Sequence, residues 1–98
     1  MNHTPGPWTI GKYHVNAYDN TIYDAKNGYK IAIVEGYTHD LKEESEANAH
    51  LIAAAPELLE ALKGLIGWHD CFPMKEGEAD LPVIATARAA IAKAEGGA

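Results

Sequence analysis

The pattern of apolar and polar positions divides the chain into two unlike halves. Between residues 8 and 35, apolar and polar side chains alternate in short segments, as they do in half-buried β-strands. Between residues 40 and 95, apolar residues recur at the three-, four- and seven-residue spacing of one helix face. The pattern predicts an α+β fold in one domain, 1–98, with a β half at about 8–36 and a helical half at about 40–95.

The β half is predicted to be an antiparallel meander of about three strands. Their expected extents are 8–15, 21–25 and 29–35. In the first strand the alternation slips by one residue around Gly11, which indicates a β-bulge.

Asn27-Gly28 predicts the hairpin between the second and third strands. This pair supplies the two positive φ angles of a two-residue type I′ turn. In such a hairpin Lys26 faces Tyr29. Further from the turn, Ile22 faces Ile33.

The helical half is predicted to be a proline-interrupted helix followed by a C-terminal helix over 81–94. Either Asp40 or Ser45 is expected to cap the first helix, and Asp80 the last. Pro56 breaks the backbone bonding of a helix interior but is tolerated in a first turn, so a kink and a break with a restart are both open. The stripe expected to pack on the sheet is Ala47, Leu51, Ala54 or Ala55, Leu58, Leu62, Leu65 and Ile66.

Composition limits the function more than it identifies it. The net charge is −6, with 14 acidic against 8 basic residues, which argues against a DNA- or RNA-binding surface. Cys71 is the only cysteine, so no intramolecular disulfide can form, as is usual in a reducing cytoplasm. No apolar run approaches the roughly 18 residues of a membrane span, and the first residues do not form a signal peptide. We expect a cytoplasmic protein without a membrane partner.

Arg88, the only arginine, is the main candidate for binding an anion. On the last predicted helix its stem lies along the apolar face that includes Ile84 and Ile91. An unpaired charge there is costly. The guanidinium is therefore expected to pair with Glu57 or Glu60, to reach water, or to hold a ligand phosphate through two hydrogen bonds.

Asn48 and His50 are further candidates, on the central helix. Asparagine is disfavoured inside helices, so the amide of Asn48 is expected to bond either a strand or a ligand. His50 lies about 200° from Asn48 on a helical wheel, so the two cannot grip one group.

The tyrosines concentrate in the β half, where ordinary strand propensity explains them. They are Tyr13, Tyr18, Tyr23, Tyr29 and Tyr37. Tyr18 and Tyr37, which are expected in loops, are the candidates for stacking on a base or sugar.

No pattern supports catalysis. His39-Asp40 and His69-Asp70-Cys71 carry metal-binding groups but lack the spacing and the second ligand pair of a zinc site. The chain has no phosphate-binding glycine loop and no hydrolase motif. We predict no catalytic residue, no metal and no cofactor. A small enzyme using His39 or His69 is the competing hypothesis.

Two segments resemble a widespread group of small bacteriophage and prophage proteins. One is HTPGPW at residues 3–8, and the other is ANAHLIAAAPELLEAL at residues 47–62, followed by ARAAIAK at residues 87–93. In that group arginine commonly stands where this chain has His50.

The order strand-strand-strand-helix-helix is also similar to the Thoeris anti-defence sponge family of phages. Those proteins sequester cyclic ADP-ribose-type signals, and some bind cyclic oligonucleotides, without degrading them. The resemblance implies a symmetric oligomer with ligand between protomers. It also implies anion and base contacts at Arg88 and around Asn48.

These observations lead to two hypotheses of different classes. The first is a non-enzymatic phage protein, in the host cytoplasm, that sequesters a small anionic cyclic nucleotide signal. Its ligand-binding residues would be Arg88, Asn48, His50, Tyr18 and Tyr37. The alternative is a protein-protein adaptor or an inhibitor of a host enzyme, with no small-molecule ligand. A homo-oligomer is expected because small residues occupy nearly every side of the last helix. They are Ala85, Ala87, Ala89, Ala90, Ala92 and Ala94.

Overall fold

A computed structural model of the chain describes residues 3–12, 19–36, 39–72 and 81–97. It confirms the α+β prediction, with a three-stranded antiparallel sheet in the order β1-β2-β3, followed by helices. The strands are β1 (Trp8–Lys12), β2 (Asn20–Asp24) and β3 (Lys30–Val34). A 3-10 helix at His39–Leu41 precedes α1 (Lys42–Ala53), α2 (Ala55–Asp70) and α3 (Pro82–Ala94).

The chain divides into two compact units. The sheet unit, Thr4–Glu57, contains the three strands, α1 and the first turn of α2. The helix unit, Met1–His3 with Leu58–Ala98, contains the rest of α2 and α3. The prediction of one domain over 1–98 stays a prediction.

The hairpin between β2 and β3 differs from the predicted two-residue turn. Asp24 N–H donates to the Tyr29 carbonyl at 2.8 Å, and Gly28 N–H donates to the Asp24 carbonyl at 2.8 Å, which closes a four-residue loop over 25–28. Gly28 has a φ of 74°, whereas Asn27 does not have a positive φ, so the type I′ prediction is wrong. The Asp24 carboxylate explains the longer loop. It accepts bonds from Lys26 N–H and Asn27 Nδ2, both at 2.9 Å, and these bonds lower the pKa of Asp24, the Lys26 bond most.

The predicted strand register is also wrong, because the longer loop sets Asp24 opposite Tyr29 and a bulge in β3 then shifts the pairing by one residue. Ile22 pairs with Ala32, and the next residue, Tyr23, pairs with Lys30, so Ile31 is the extra residue. Along the described β1, pairing with β2 is uninterrupted, and no bulge occurs at Gly11.

Gly11 interrupts the alternation for a different reason. It lies on the same sheet face as Tyr23, whose ring covers it: a Cβ on Gly11 would lie 2.6 Å from Tyr23 Cε2. The glycine therefore makes room for the ring. Val15, the end of the predicted first strand, lies outside the described residues.

The core of the sheet unit forms where α1 lies on β2. Ile22 and Ala49 are completely buried, and Ser45 is 3% exposed. The Ser45 hydroxyl donates to the Val34 carbonyl at 3.3 Å and accepts from Asn20 Nδ2 at 3.5 Å. Ser45 thus ties α1 to two strands instead of capping the helix.

Two predictions about α1 are wrong in consequence. Its N-cap is Leu41, which makes no side-chain cap bond, so neither Asp40 nor Ser45 caps the helix. The predicted stripe through Ala47 and Leu51 faces outward. Small residues at 45 and 49 allow the helix to approach the sheet more closely than a leucine face would. The predicted cap of α3, Asp80, lies outside the described residues.

Pro56 breaks the long helix and begins a new one. Helix α1 ends at its C-cap Ala54, and α2 starts at Ala55, so proline occupies the first turn, where its missing N–H has no cost. Pro56 is buried beside Gly6: a Cβ on Gly6 would lie 2.8 Å from Pro56 Cβ. The break therefore seats Pro56 against the N-terminal segment.

Candidate functional site

Two ion pairs join α2 to the C-terminal segment that carries α3. Lys63 Nζ lies 3.0 Å from Glu95 Oε2, and the Arg88 guanidinium contacts the Asp70 carboxylate. On α2, Asp70 lies seven residues after Lys63, whereas its partner Arg88 lies seven residues before Glu95. The two helices therefore run antiparallel. The Glu95 bond raises the pKa of Lys63 above its ordinary 10.5.

Arg88 pairs with Asp70, whereas the expected alternatives were Glu57 or Glu60, water, or a ligand phosphate. The contact is bidentate, with Nη2 at 2.5 Å from Oδ1 and Nη1 at 3.1 Å from Oδ2. His69 Nδ1 lies 3.3 Å from the same Oδ1. The guanidinium bond, with a smaller contribution from His69, lowers the pKa of Asp70 to about 2. The sequence could not show this pairing, because it depends on the register between two helices.

The pairing defines what Arg88 can bind. Its side chain is 42% exposed, and its fork already grips two oxygens of one carboxylate. A phosphate presents oxygens in the same arrangement, but it would have to displace Asp70.

Asn48 lies in a groove between the edge of the sheet and α1, which we call the β3–α1 groove. It has a volume of about 510 Å³ and is lined by Ile33, Val34, Glu35, Asn48, Leu51 and Ile52. This lining has one carboxylate and no cationic side chain, so it does not favour an anion. His50 is exposed on α1 and is not part of the lining.

The predicted ligand residues are therefore spread over the chain. Asn48 and His50 belong to the sheet unit and Arg88 to the helix unit. Tyr18 and Tyr37 lie outside the described residues. The binding site that unites all five stays a prediction.

A second feature of the helix unit was not predicted. Four large apolar side chains on α2 and the residues after it, which we call the α2 stripe, are each more than half exposed. They are Leu58 (52%), Leu65 (64%), Trp68 (65%) and Phe72 (57%). The spacing of seven and three residues places Leu58, Leu65 and Trp68 on one side of the helix, and Phe72 follows the end of the helix. The Trp68 and Phe72 rings meet edge to face, with centroids 4.8 Å apart.

The exposure of the α2 stripe shows that the predicted sheet-facing stripe is wrong for part of α2. Leu58 and Leu65 had been assigned to that buried side together with Leu62 and Ile66. Only Ile66, 9% exposed, is buried, and Leu62 is half-buried. Helix α2 carries two apolar stripes, and periodicity alone could not tell which one is covered.

Metal binding has no support in the part of the chain that the structure describes. That part holds no group of three histidine, cysteine or carboxylate side chains placed to share an ion. Cys71 is exposed. None of the described helices is long and apolar enough to cross a membrane.

The comparisons with known proteins give one match. A family model described as Salmonella phage P22 protein Y8K6 matches residues 1–98. The chain belongs to this phage protein family. No curated protein and no solved structure matches it. The predicted phage resemblance is confirmed, and the similarity to Thoeris sponges stays a prediction.

The structure supplies a physical reason for the sequence pattern that suggested this phage family. Gly6, in the N-terminal HTPGPW segment, contacts Pro56 of the central LIAAAPELL segment. Pro7 follows Gly6 in a cis peptide, and its carbonyl accepts from Ala25 N–H at 3.1 Å. Trp8 Nε1 donates to the Thr4 carbonyl at 3.1 Å. Gly6 of one segment and Pro56 of the other thus form one packed corner of the sheet unit.

Proposed function

We propose that this phage protein acts by binding a host protein through the α2 stripe, as an adaptor or inhibitor, without catalysis. The observation that carries the proposal is the exposure of Leu58, Leu65 and Trp68 on one side of α2 and of Phe72 just after it. Contiguous exposed apolar side chains mark interaction sites, and tryptophan is prominent among the residues that dominate binding energy.

The chemistry of the stripe and the charge of the chain describe the partner. Its surface would offer an apolar cleft that accepts two aromatic rings and two leucines. The net charge of −6 would favour a cleft with basic residues around it, because opposite charges steer association. The host cytoplasm is where we expect the two to meet.

Paired variants test the α2 stripe. Three forms of the protein are immobilised and exposed to host lysate: the wild type, the double variant Leu65→Ser with Trp68→Ser, and the single variant Val83→Ser. Val83, on α3, is equally exposed at 65% and serves as the control. We expect a stoichiometric partner to be retained by wild type and control, and to bind the double variant at least about thirtyfold more weakly. A partner that binds all three equally, or no stoichiometric partner, would contradict the proposal.

Nucleotide sequestration is the second candidate, and the geometry of Arg88 is the observation that favours it. The guanidinium is exposed and holds two oxygens through a preformed fork. In this proposal a phosphate of a cyclic nucleotide takes the place of Asp70.

Removing the competing carboxylate tests that exchange. The protein is incubated with cyclic ADP-ribose isomers and with cyclic di- and trinucleotides, and the bound ligand is then released by heat. We expect Asp70→Asn to bind more tightly than wild type and Arg88→Gln not to bind. No depletion of any of these nucleotides by wild type or by Asp70→Asn would refute sequestration at Arg88.

A further inference from the structure

Strand β3 is at an edge of the sheet. It pairs with β2 on one side, and within the described ranges no strand pairs with its other side. The outer side of an edge strand can pair with another strand through its backbone N–H and C=O groups, although the Val34 carbonyl already accepts from Ser45 Oγ. The residues next to this edge are also apolar: Ile33 is 45% exposed and Leu51, across the β3–α1 groove, is 65% exposed.

The bulge at Ile31 gives this edge a particular charge pattern. Lys30 and Ile33 pair with Tyr23 and Thr21, which are two residues apart on β2 and so share a sheet face. By the alternation of the strand, Glu35, the residue after β3, is expected on that face as well. One face of the edge thus carries a cation at one end, an isoleucine in the middle and a carboxylate at the other end, and Lys30 and Glu35 are both exposed.

We infer that β3 pairs antiparallel with β3 of a second copy, about a two-fold axis at Ile33, to form a six-stranded sheet. In this register Glu35 of one protomer lies opposite the 30–31 bulge of its partner, where Lys30 occupies the same face. The two-fold axis repeats the contact, so two opposite-charge pairs flank the paired isoleucines.

This self-complementarity identifies a second copy of the chain as the partner of the β3 edge. An edge that carries Lys30 and Glu35 in opposite positions matches its own antiparallel copy at both ends. The same pairing brings the partner's edge against the β3–α1 groove and covers Leu51. A second copy also adds buried surface to a small chain with few fully buried residues. The inference is independent of the α2 stripe and goes beyond the proposed function.

Charge reversal tests the register. Mass is measured by light scattering and sedimentation at micromolar concentration for wild type, Lys30→Glu, Glu35→Lys and the double variant. We expect wild type and the double variant to be dimers. Each single reversal is expected to weaken dimerisation about tenfold or more, since it places like charges together. A mixture of the two single variants is expected to dimerise again. A monomeric wild type, or a dimer unaffected by single reversals, would overturn the inference.

Cross-linking supplies a second measurement, which does not depend on stability. In a Cys71→Ser background, Ile33→Cys places two thiols at the two-fold axis, where opposed residues are within disulfide range. We expect rapid oxidation to a covalent dimer. Thr9→Cys, exposed on β1 at the far edge of the sheet, is the control and is expected to stay monomeric. Equal or slower cross-linking at position 33 would show that the copies meet elsewhere, for example through the α2 stripe.

Discussion

Thr21 is a polar residue buried in strand β2. It is completely buried, and its hydroxyl has no hydrogen-bond partner among the described residues. Valine has nearly the same shape and suits a central strand, so Thr21→Val should stabilise the protein by about 1 kcal/mol. Chemical denaturation would measure it. A loss of stability would mean that the hydroxyl is bonded in solution.

Alanine substitutions at two glycines should change the stability of the protein in opposite directions. A methyl group on Gly6 would meet Pro56 at 2.8 Å, so Gly6→Ala should destabilise by about 1–3 kcal/mol. Gly64, inside α2, has nothing within 4 Å of the added group, so Gly64→Ala should stabilise by about 0.5–1 kcal/mol. Melting temperatures of the matched pair test the packed corner. Equal effects at both positions would show that Gly6 does not contact Pro56 in solution.

Residue types were easier to interpret than residue partners. The sequence indicated that Arg88 needs an anion, and it has one, but the partner is Asp70. Asn27-Gly28 indicated a turn between two strands, but Asp24 lengthens the loop through bonds that strand propensity cannot reveal. Each of these errors arises because the deciding contact joins positions that only the fold or a loop conformation brings together.

At the scale of elements, the contact between α2 and α3 should depend on acid pH. The pKa of Asp70 is about 2 in the folded protein, below its ordinary 3.8, so the ionised form favours the folded state. That contribution is fully present above about pH 4 and is lost as the pH falls towards 2. Thermal unfolding of Asp70→Asn between pH 2 and 6 should lack this part of the acid dependence, while Glu60→Gln, elsewhere on α2, should retain it. Identical curves for Asp70→Asn and wild type would contradict the pairing.

The number of strands and the order of the elements followed from the sequence, whereas a kink or a break at Pro56 was left open and the faces that the helices use were not predicted. Alternation and helical spacing located the three strands and the α-helices to within a few residues over the described ranges, but not the 3-10 helix at His39–Leu41. Helix α1, however, packs through Ser45 and Ala49, which no hydrophobic pattern marks as a core face. The small residues of α1 allow a close approach to the sheet, whereas Leu51 on the same helix stays 65% exposed.

At the scale of the whole molecule, two surfaces are proposed for two different partners. The β3 edge is assigned to a second copy and the α2 stripe to a host protein. The alanines of α3 had suggested a helix-mediated oligomer instead. Charge reversal at Lys30 and Glu35 separates the possibilities, because a dimer formed through α3 or α2 would be insensitive to it.

The α2 stripe should be accessible in the free protein. The native protein should then bind a hydrophobic fluorescent dye, since four large apolar side chains are more than half exposed. Replacing Leu65 and Trp68 by serine should remove most of that binding without lowering the melting temperature, because exposed side chains contribute little to the core. Val83→Ser should leave it unchanged. A native wild type that binds no dye would show that the α2 stripe is covered in solution. The proposal of a host-protein surface would then have no supporting observation.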